Sequence, residues 1–466
     1  MAEEEAEIGG KIRRLRRSRH LSQSDLAAAL NISASYLNLI EHNRRKVTVN
    51  LLFAIAGYFG VEPGDLVDGD ESRLAGQLME VFADDVFADS DVTNLEVRDL
   101  AHANPAAARA VLRLYDRYKH AAPRAAVAEE SGSEFHRATD VISDFLQANA
   151  NHFPELEDAA ERIRGEIDAG GDGFDAGART YLANVFGLET RLASLPTGIV
   201  RQFDQSRRQL LLSDLAPPET TRFLLAQQIG LLAAPREIDA LIAAADLPEA
   251  DAPALARNVL SAYLASALVM PYAPFLKACR DYRYDIERLG HRFGTSFEQI
   301  CHRMTTLQRK GASGIPMHLV RTDIAGNISK RFSLSGIHIP RHTGACPRWN
   351  VYSAFLSPER LNIQISEMPD GARFFCVART VTKGAYRYNA PVRHVAIGIG
   401  CSLAHARELI YSDGMDLASD NHVVPIGVSC RICPRLECGH RAHPPANHRM
   451  TLDESIRPET LYARMG

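Results

Sequence analysis

Residues 22–40 constrain the fold more tightly than any other stretch, because nearly every position suits two short helices crossing at a sharp turn. Ser22 can cap a helix that starts at Gln23, and Asp25 completes a reciprocal capping box. Leu26, Ala27 and Leu30 supply an inner face, and Ala27 must be small because the helices cross there. Asn31 stands at the turn, where a left-handed backbone is needed; glycine is commonest there, but asparagine tolerates it. Ile32 plugs the turn, Ser33 caps the second helix, and Leu37 and Ile40 anchor it. Ala34, Ser35, Tyr36 and Asn38 remain on the outer face, a short polar set suited to base edges in a major groove. Across residues 11–46 nine Lys or Arg stand against two acids, in a chain of net charge −4. The positive charge is therefore local, as in a nucleic-acid-binding module attached to an acidic body.

Residues 8–66 resemble the Xre/Cro-type helix-turn-helix family. The resemblance implies double-stranded DNA as partner, with Gln23, Ser33, Ser35, Tyr36 and Asn38 facing the bases. Arg44 and Arg45 would touch phosphates, which set affinity and salt dependence but carry no sequence information. Heads of this class commonly read two half-sites through two-fold symmetry, so a homodimer or higher homo-oligomer is expected.

The 466 residues suffice for two to four domains. The expected fold is multidomain and mainly α: a helix-turn-helix head over 1–70, a helical connector and linker over 71–134, a helical domain over 135–330, and an α+β domain over 331–466. The connector breaks at Asn104-Pro105, and residues 120–134 read as linker. In the last domain residues 373–381 and 392–400 are strand-like, as are 423–429. Glu3, Glu4, Glu5 and Glu7 at the start are the opposite of a basic leader. The most apolar stretch, 259–276, is broken by Ser261, Ser266, Pro271 and Pro274 and reads as a buried helix, not a membrane span. A cytoplasmic protein without membrane contact is the expectation. All eight cysteines lie at or after Cys279. Their crowding over 430–438 favours a metal or cluster site over disulfides.

Residues 222–232, with 261–271 after them, resemble the ImmA/IrrE metallopeptidases. Their zinc helix reads His-Glu-x-x-His, two imidazoles one turn apart and a Glu that activates water. Here the three positions hold Gln227, Gln228 and Leu231, and residues 257–262 contain no acidic third ligand. The resemblance implies a peptidase-like fold without peptidase chemistry. A cleft lined by Gln227, Gln228 and Leu231 could accept a small acyl group.

Cys430, Cys433 and Cys438 form Cys-x2-Cys-x4-Cys, three thiols near enough to converge on one metal centre. Cys401 is the preferred fourth ligand and His443 its rival. Zinc and an iron–sulfur cluster both remain open, since the neighbouring Arg431, Arg435 and Arg441 would stabilise either. Cys279, Cys301, Cys346 and Cys376 read as buried small hydrophobes.

The stretches Phe297-Glu298-Gln299-Ile300-Cys301-His302-Arg303, Asp323-Ile324-Ala325-Gly326-Asn327, Cys346-Pro347-Arg348-Trp349-Asn350 and the 430–445 segment are similar to the bacterial short-chain fatty acyl-CoA transcriptional regulators. The resemblance implies control of short-chain fatty acid assimilation genes, with propionyl-CoA or acetyl-CoA as effector. It further implies a 4Fe–4S cluster on the Cys-x2-Cys-x4-Cys residues and a GAF-like domain around them. Such a cluster could itself be a redox input. CoA needs cations for its phosphates and an apolar or flat surface for adenine and acyl chain; Arg348 beside Trp349, the single tryptophan, is one candidate pair.

Overall fold

The computed structural model describes residues 9–19, 21–41, 45, 47–60, 70–87, 92–121, 130–169, 173–245, 247, 251–341, 344–384, 392–445, 460 and 462. The chain divides into two compact units, Met1–Pro123 with Cys430–Gly466, and Arg124–Ser429.

In the first unit, α1 (Gly9–Ser18), α2 (Gln23–Ala29), α3 (Ala34–Glu41) and α4 (Val49–Phe59) close around Ile12, Leu26, Leu37, Ile40 and Ile55. The sequence logic of the turn holds: Ser22 and Asp25 form the capping box, and Asn31 has φ 54°. The Tyr36 N–H donates to Ser33 Oγ at 3.1 Å, capping α3. A second small core, built on Leu74, Leu78, Val97, Ala101 and Ala108, belongs to α5 (Asp70–Phe82), α6 (Asn94–Ala103) and α7 (Pro105–Ala121). The break falls at Asn104, whose Oδ1 accepts from the Ala107 N–H, and Pro105 opens α7.

The second unit opens with α8 (Glu130–Ala148), so residues 130–134 are helical and not linker. Those first turns carry Glu, Ser and Gly with no apolar period; the helix is held further on, where Ala138 and Ile142 pack with Ala252 and Ala256. Next come α9 (Pro154–Asp168), α10 (Phe174–Phe186) and a small sheet of β1 (Glu189–Ala193), β2 (Arg201–Asp204) and β3 (Gln209–Ser213), ordered β1-β3-β2. That sheet is an addition to the helical domain expected. Its strands have five residues or fewer, and Glu189, Arg191, Arg201 and Asp204 interrupt the first two, too short for a clear alternation.

Helices α11 (Pro218–Ala233), α12 (Pro235–Ala244), α13 (Ala252–Val269), α14 (Tyr272–Asp281), α15 (Ile286–Phe293) and α16 (Phe297–Met304) complete the helical layer. By length and composition α13 could cross a membrane, yet 61% of it is buried, with Leu260, Leu264 and Leu268 at zero exposure. It is the central helix of this unit's core. Gly230 lets α11 approach it closely, since a Cβ there would lie 3.0 Å from Leu264 Cδ2.

The larger sheet comprises β4 (Met317–Asp323), β5 (Ile328–Ser333), β6 (Asn362–Glu367), β7 (Arg373–Lys383), β8 (Arg393–Ser402) and β9 (Val423–Pro425), in the order β5-β4-β8-β7-β6-β9. All pairs are antiparallel except β6 with β9. The sheet thus starts upstream of residue 331, because the polar edge strand β5 hides the β4–β5 hairpin from a hydrophobicity reading. Only three residues of the expected 423–429 strand pair with a neighbour. One face joins the helical core through Leu319, Phe375, Ile397 and Cys401. The other carries a separate core with Val320, Trp349, Val351 and Ala378. There the short helix α17 (Asn350–Ser353) rests on Gly398, where a Cβ would lie 2.5 Å from Val351 Cγ1.

Candidate functional site

In the head, burial and hydrogen bonding select which side chains can face DNA. Arg16 is buried against Glu41, with Nε–Oε1 at 2.6 Å and Nη2–Oε2 at 2.9 Å. The same Glu41 Oε2 also accepts from Gln23 Nε2 at 2.7 Å, and Asn38 Nδ2 donates to Gln23 Oε1 at 3.4 Å. Burial alone would raise the Glu41 carboxyl, but Arg16 and Gln23 hold it below its ordinary value. A buried ion pair therefore orients Gln23, which in turn is joined to Asn38 on the exposed face. Ser33, Ser35 and Asn38 are exposed, as is Arg45, whereas Tyr36 is half-buried and packs on the head's core. Arg44 lies outside the described residues. The Glu41–Gln23–Asn38 chain was not foreseen, because residues 23, 38 and 41 share a site only once the helices cross.

The second unit contains a cavity of about 1560 Å3. Small-molecule clefts usually span ~300–1,000 Å3, so this one admits an extended ligand. Phe223, Gln227, Asn258, Val259 and Ala262 line one stretch of it, from α11 and α13. Gln227 Nε2 donates to Asn258 Oδ1 at 2.9 Å and to Ser261 Oγ at 3.0 Å, and Arg201 Nη1 reaches Gln227 Oε1 at 3.4 Å. Amide, hydroxyl and guanidinium groups thus face one another around Gln227. Gln228 is buried, and neither it nor Leu231 belongs to the lining, which corrects their expected role. Leu231, one turn beyond Gln227 on the same side of α11, is half-buried. Arg348 and Trp349 are also absent from the lining: the indole is 6% exposed, and its Nε1 donates to Gly427 O at 2.9 Å. A ring spent on a core cannot stack on adenine.

Cations line the opposite-sequence part of the cleft, from the larger sheet. Arg321 and Lys383 bind Glu298 at 2.9 and 2.7 Å, and Lys330 Nζ lies 3.4 Å from His302 Nε2. Burial would raise the Glu298 carboxyl, but His302, Lys383 and Lys330 hold it well below the carboxylate range. Burial, with Lys330 beside it, lowers His302 to about 4, so its imidazole is neutral near pH 7. Three cations around one carboxylate leave a local excess of positive charge, the environment that draws phosphate.

The segment following β9 holds Cys430, Cys433 and Cys438, each half-buried. Arg441, only 3% exposed, ties the loop together by donating to the carbonyls of Cys430 (2.6 Å), Cys433 (2.7 Å) and Arg435 (2.9 Å). The Ala442 N–H points at Cys430 Sγ from 3.4 Å, and Arg441 Nε is a buried donor without an acceptor among the described residues. This donor set suits a thiolate-bound centre: soft ligands on one loop, with N–H groups turned toward sulfur. Among the described residues no three potential ligands already converge on one point. Cys401 is fully buried in β8 and burial pushes its thiol up, the setting of a packing cysteine more than of a thiolate ligand. His443 is exposed. Cys279, Cys301, Cys346 and Cys376 are all buried, as small hydrophobes are.

Three family descriptions match in succession: "Helix-turn-helix" over residues 12–66, "IrrE N-terminal-like domain" over 183–305, and "Short-chain fatty acyl coenzyme A regulator, C-terminal" over 306–462. Similar proteins include the HTH-type transcriptional regulator RamB of Mycobacterium tuberculosis, 36% identical over 96% of each chain. The propionyl-CoA carboxylase regulator of Cereibacter sphaeroides is 37% identical over 96% of each chain. The HTH-type transcriptional regulator PrpR of M. tuberculosis is 34% identical over 98% of this chain and 95% of its own. A solved structure, a Mycobacterium tuberculosis transcriptional regulator, superposes with a TM-score of 0.67 at 37% identity, covering 70% of this chain and 99% of that one.

Proposed function

Because the chain belongs to the short-chain fatty acyl coenzyme A regulators, a family of helix-turn-helix transcriptional regulators, we propose that it binds promoter DNA under the control of a short-chain acyl-CoA held in the cleft of its second unit. The observation that carries this reading is the cleft itself, which joins an apolar, amide-bearing stretch around Gln227 and Asn258 to a cation-rich stretch around Arg321, Lys330 and Lys383. A thioester of CoA has the matching parts, a small acyl group and several phosphates. The genes under control would be those of propionate or acetate assimilation, and two copies of the head would read two half-sites. The middle domain acts as a binding scaffold: Gln227, Gln228 and Leu231 offer no imidazole for zinc and no carboxylate for water. By binding one arrangement of the second unit better than another, the effector would bias a two-state equilibrium that the heads report.

Titrating propionyl-CoA against binding of the full chain to its own upstream DNA tests this. Promoter affinity should change with propionyl-CoA and stay constant with free propionate; an unchanged affinity counts against the reading. Ala262→Trp should fill the cleft beside Asn258, abolishing the thioester response while ligand-free DNA binding is retained.

Cys430, Cys433 and Cys438 would hold a 4Fe–4S cluster or zinc, with the fourth ligand outside this loop. An iron–sulfur cluster there would supply one-electron redox chemistry, while Arg441 holds the loop closed around it. Purified without air, the wild type is expected to carry iron and sulfide, and the Cys430→Ser/Cys433→Ser/Cys438→Ser variant neither. Zinc without iron in the wild type would assign the centre to a structural role. A redox-sensing reading predicts that oxidation changes DNA affinity with no acyl-CoA present.

A further inference from the structure

Two guanidinium groups that line the cleft are already occupied by carboxylates of a single helix. Arg331 of β5 binds Asp140 Oδ1 at 2.6 Å, and Arg341 grips both oxygens of Asp144, with Nη1–Oδ2 at 2.9 Å. Both arginines are among the cleft's lining residues, and their side chains are 14% and 23% exposed. Burial and the charge of Arg341 push Arg331 below its ordinary value, so the two cations stand close enough to feel each other. Asp140, Asp144 and Gln147 recur at helical spacing along one face of α8. The Gln147 amide completes the attachment, donating to Ser333 O at 2.7 Å and accepting from the Ser333 N–H at 3.1 Å. It acts as a surrogate neighbour for the sheet's edge strand. Helix α8 also lends Thr139, Ile142 and Ser143 to the cleft wall. In the chain it is the first element of the second unit, reached from α7 through residues 122–129.

We propose that Arg331 and Arg341 form an anion subsite for a phosphate group of the cleft's occupant, and that Asp140 and Asp144 hold this subsite in its absence, so ligand phosphate and helix α8 compete for the same two guanidiniums. The proposal rests on the reading that an acyl-CoA enters the cleft. A phosphate offers each guanidinium the same two-pronged geometry as a carboxylate, with more charge and more acceptor oxygens. Partly exposed Arg–Asp pairs hold weakly, which makes the helix displaceable. Displacement would free the charged face of α8 from β5 while Ala138 and Ile142 keep their packing against α13. The cleft's contents would thereby reach the helix that continues toward the DNA-binding half of the chain.

Competition and simple structural support predict opposite signs. Calorimetric titration of the full chain with pyrophosphate, and separately with propionyl-CoA, should show Asp140→Asn/Asp144→Asn binding both about tenfold more tightly than wild type. Arg331→Gln/Arg341→Gln should bind both about tenfold more weakly. In the wild type, pyrophosphate should speed amide hydrogen exchange along α8 while α13 stays protected, and protection of α13 measured in each variant reports that it is folded. Unchanged or weaker pyrophosphate binding by the Asp double variant, or by Asp144→Asn alone if the double does not fold, overturns the competition. Tighter pyrophosphate binding with no propionyl-CoA binding in any form would leave this subsite standing and sink the acyl-CoA reading instead.

Discussion

Replacing Arg303 with Leu is expected to destabilise the second unit by about 3–5 kcal/mol, the usual consequence of leaving a buried charge without its partner. Arg303 and Glu157 are bonded through Nη1–Oε1 at 2.6 Å and Nη2–Oε2 at 2.9 Å, and their side chains are 0% and 1% exposed. The remaining valences are met as well. Arg303 Nε donates to Met270 O at 3.0 Å, and the Tyr263 hydroxyl donates to Glu157 Oε1 at 2.6 Å. The pair links α9 to α16 and to the end of α13, so the loss should appear as a lower urea midpoint for the whole unit. Glu157→Gln/Arg303→Met should recover most of it, because neither residue then needs a counter-charge. A single variant that unfolds at the wild-type midpoint would show that water reaches Glu157. The pair also sets a pH dependence. Burial opposes the Glu157 charge, but Arg303 and Tyr263 more than offset it and the folded carboxyl sits below its ordinary value of 4.5. A depressed carboxyl stabilises the fold above the unfolded-state value, and that contribution is lost as pH falls below about 4.5 toward the folded value. The Gln/Met variant should lose less stability over the same acid range.

Gln23→Ala is expected to weaken binding to the cognate operator about ten- to a hundredfold, the range set by one side-chain-to-base contact of ~1–3 kcal/mol. Binding to random duplex, governed by phosphate contacts, should change little. Asn38→Ala should behave alike, and the double variant should lose less than the sum, because the two amides are hydrogen-bonded to each other. Additive losses in competition binding at fixed salt would mean that the amides act separately. Equal losses on specific and random DNA would place Gln23 on a phosphate.

The head was legible almost residue by residue, because capping, crossing and turn positions are local requirements that a sequence must meet in order. The capping box at Ser22 and Asp25 and the left-handed Asn31 are of this kind. The helical layer was readable as a class, but β1–β3 were not: strands this short, with charges such as Glu189 and Arg201, give no usable period. Trp349 misled for a related reason. A tryptophan beside an arginine reads as a binding surface, and only the sheet's second core shows where the ring goes. Glu157 and Arg303 are 146 positions apart, and no local pattern announces their pairing. The same holds for Arg331 with Asp140, where each residue alone is an ordinary surface charge.

Within the second unit, the helices matched at 183–305 and the sheet that follows residue 306 are sealed by one continuous interior, in which Leu264 and Met304 from helices meet Leu319, Phe375 and Ile397 from the sheet. Neither half has a water-compatible surface where the other begins. They can therefore be transplanted, truncated or exchanged in evolution only as an indivisible piece. A chimera that gives this sensing piece to a foreign DNA reader cannot be joined at the boundary between the two families.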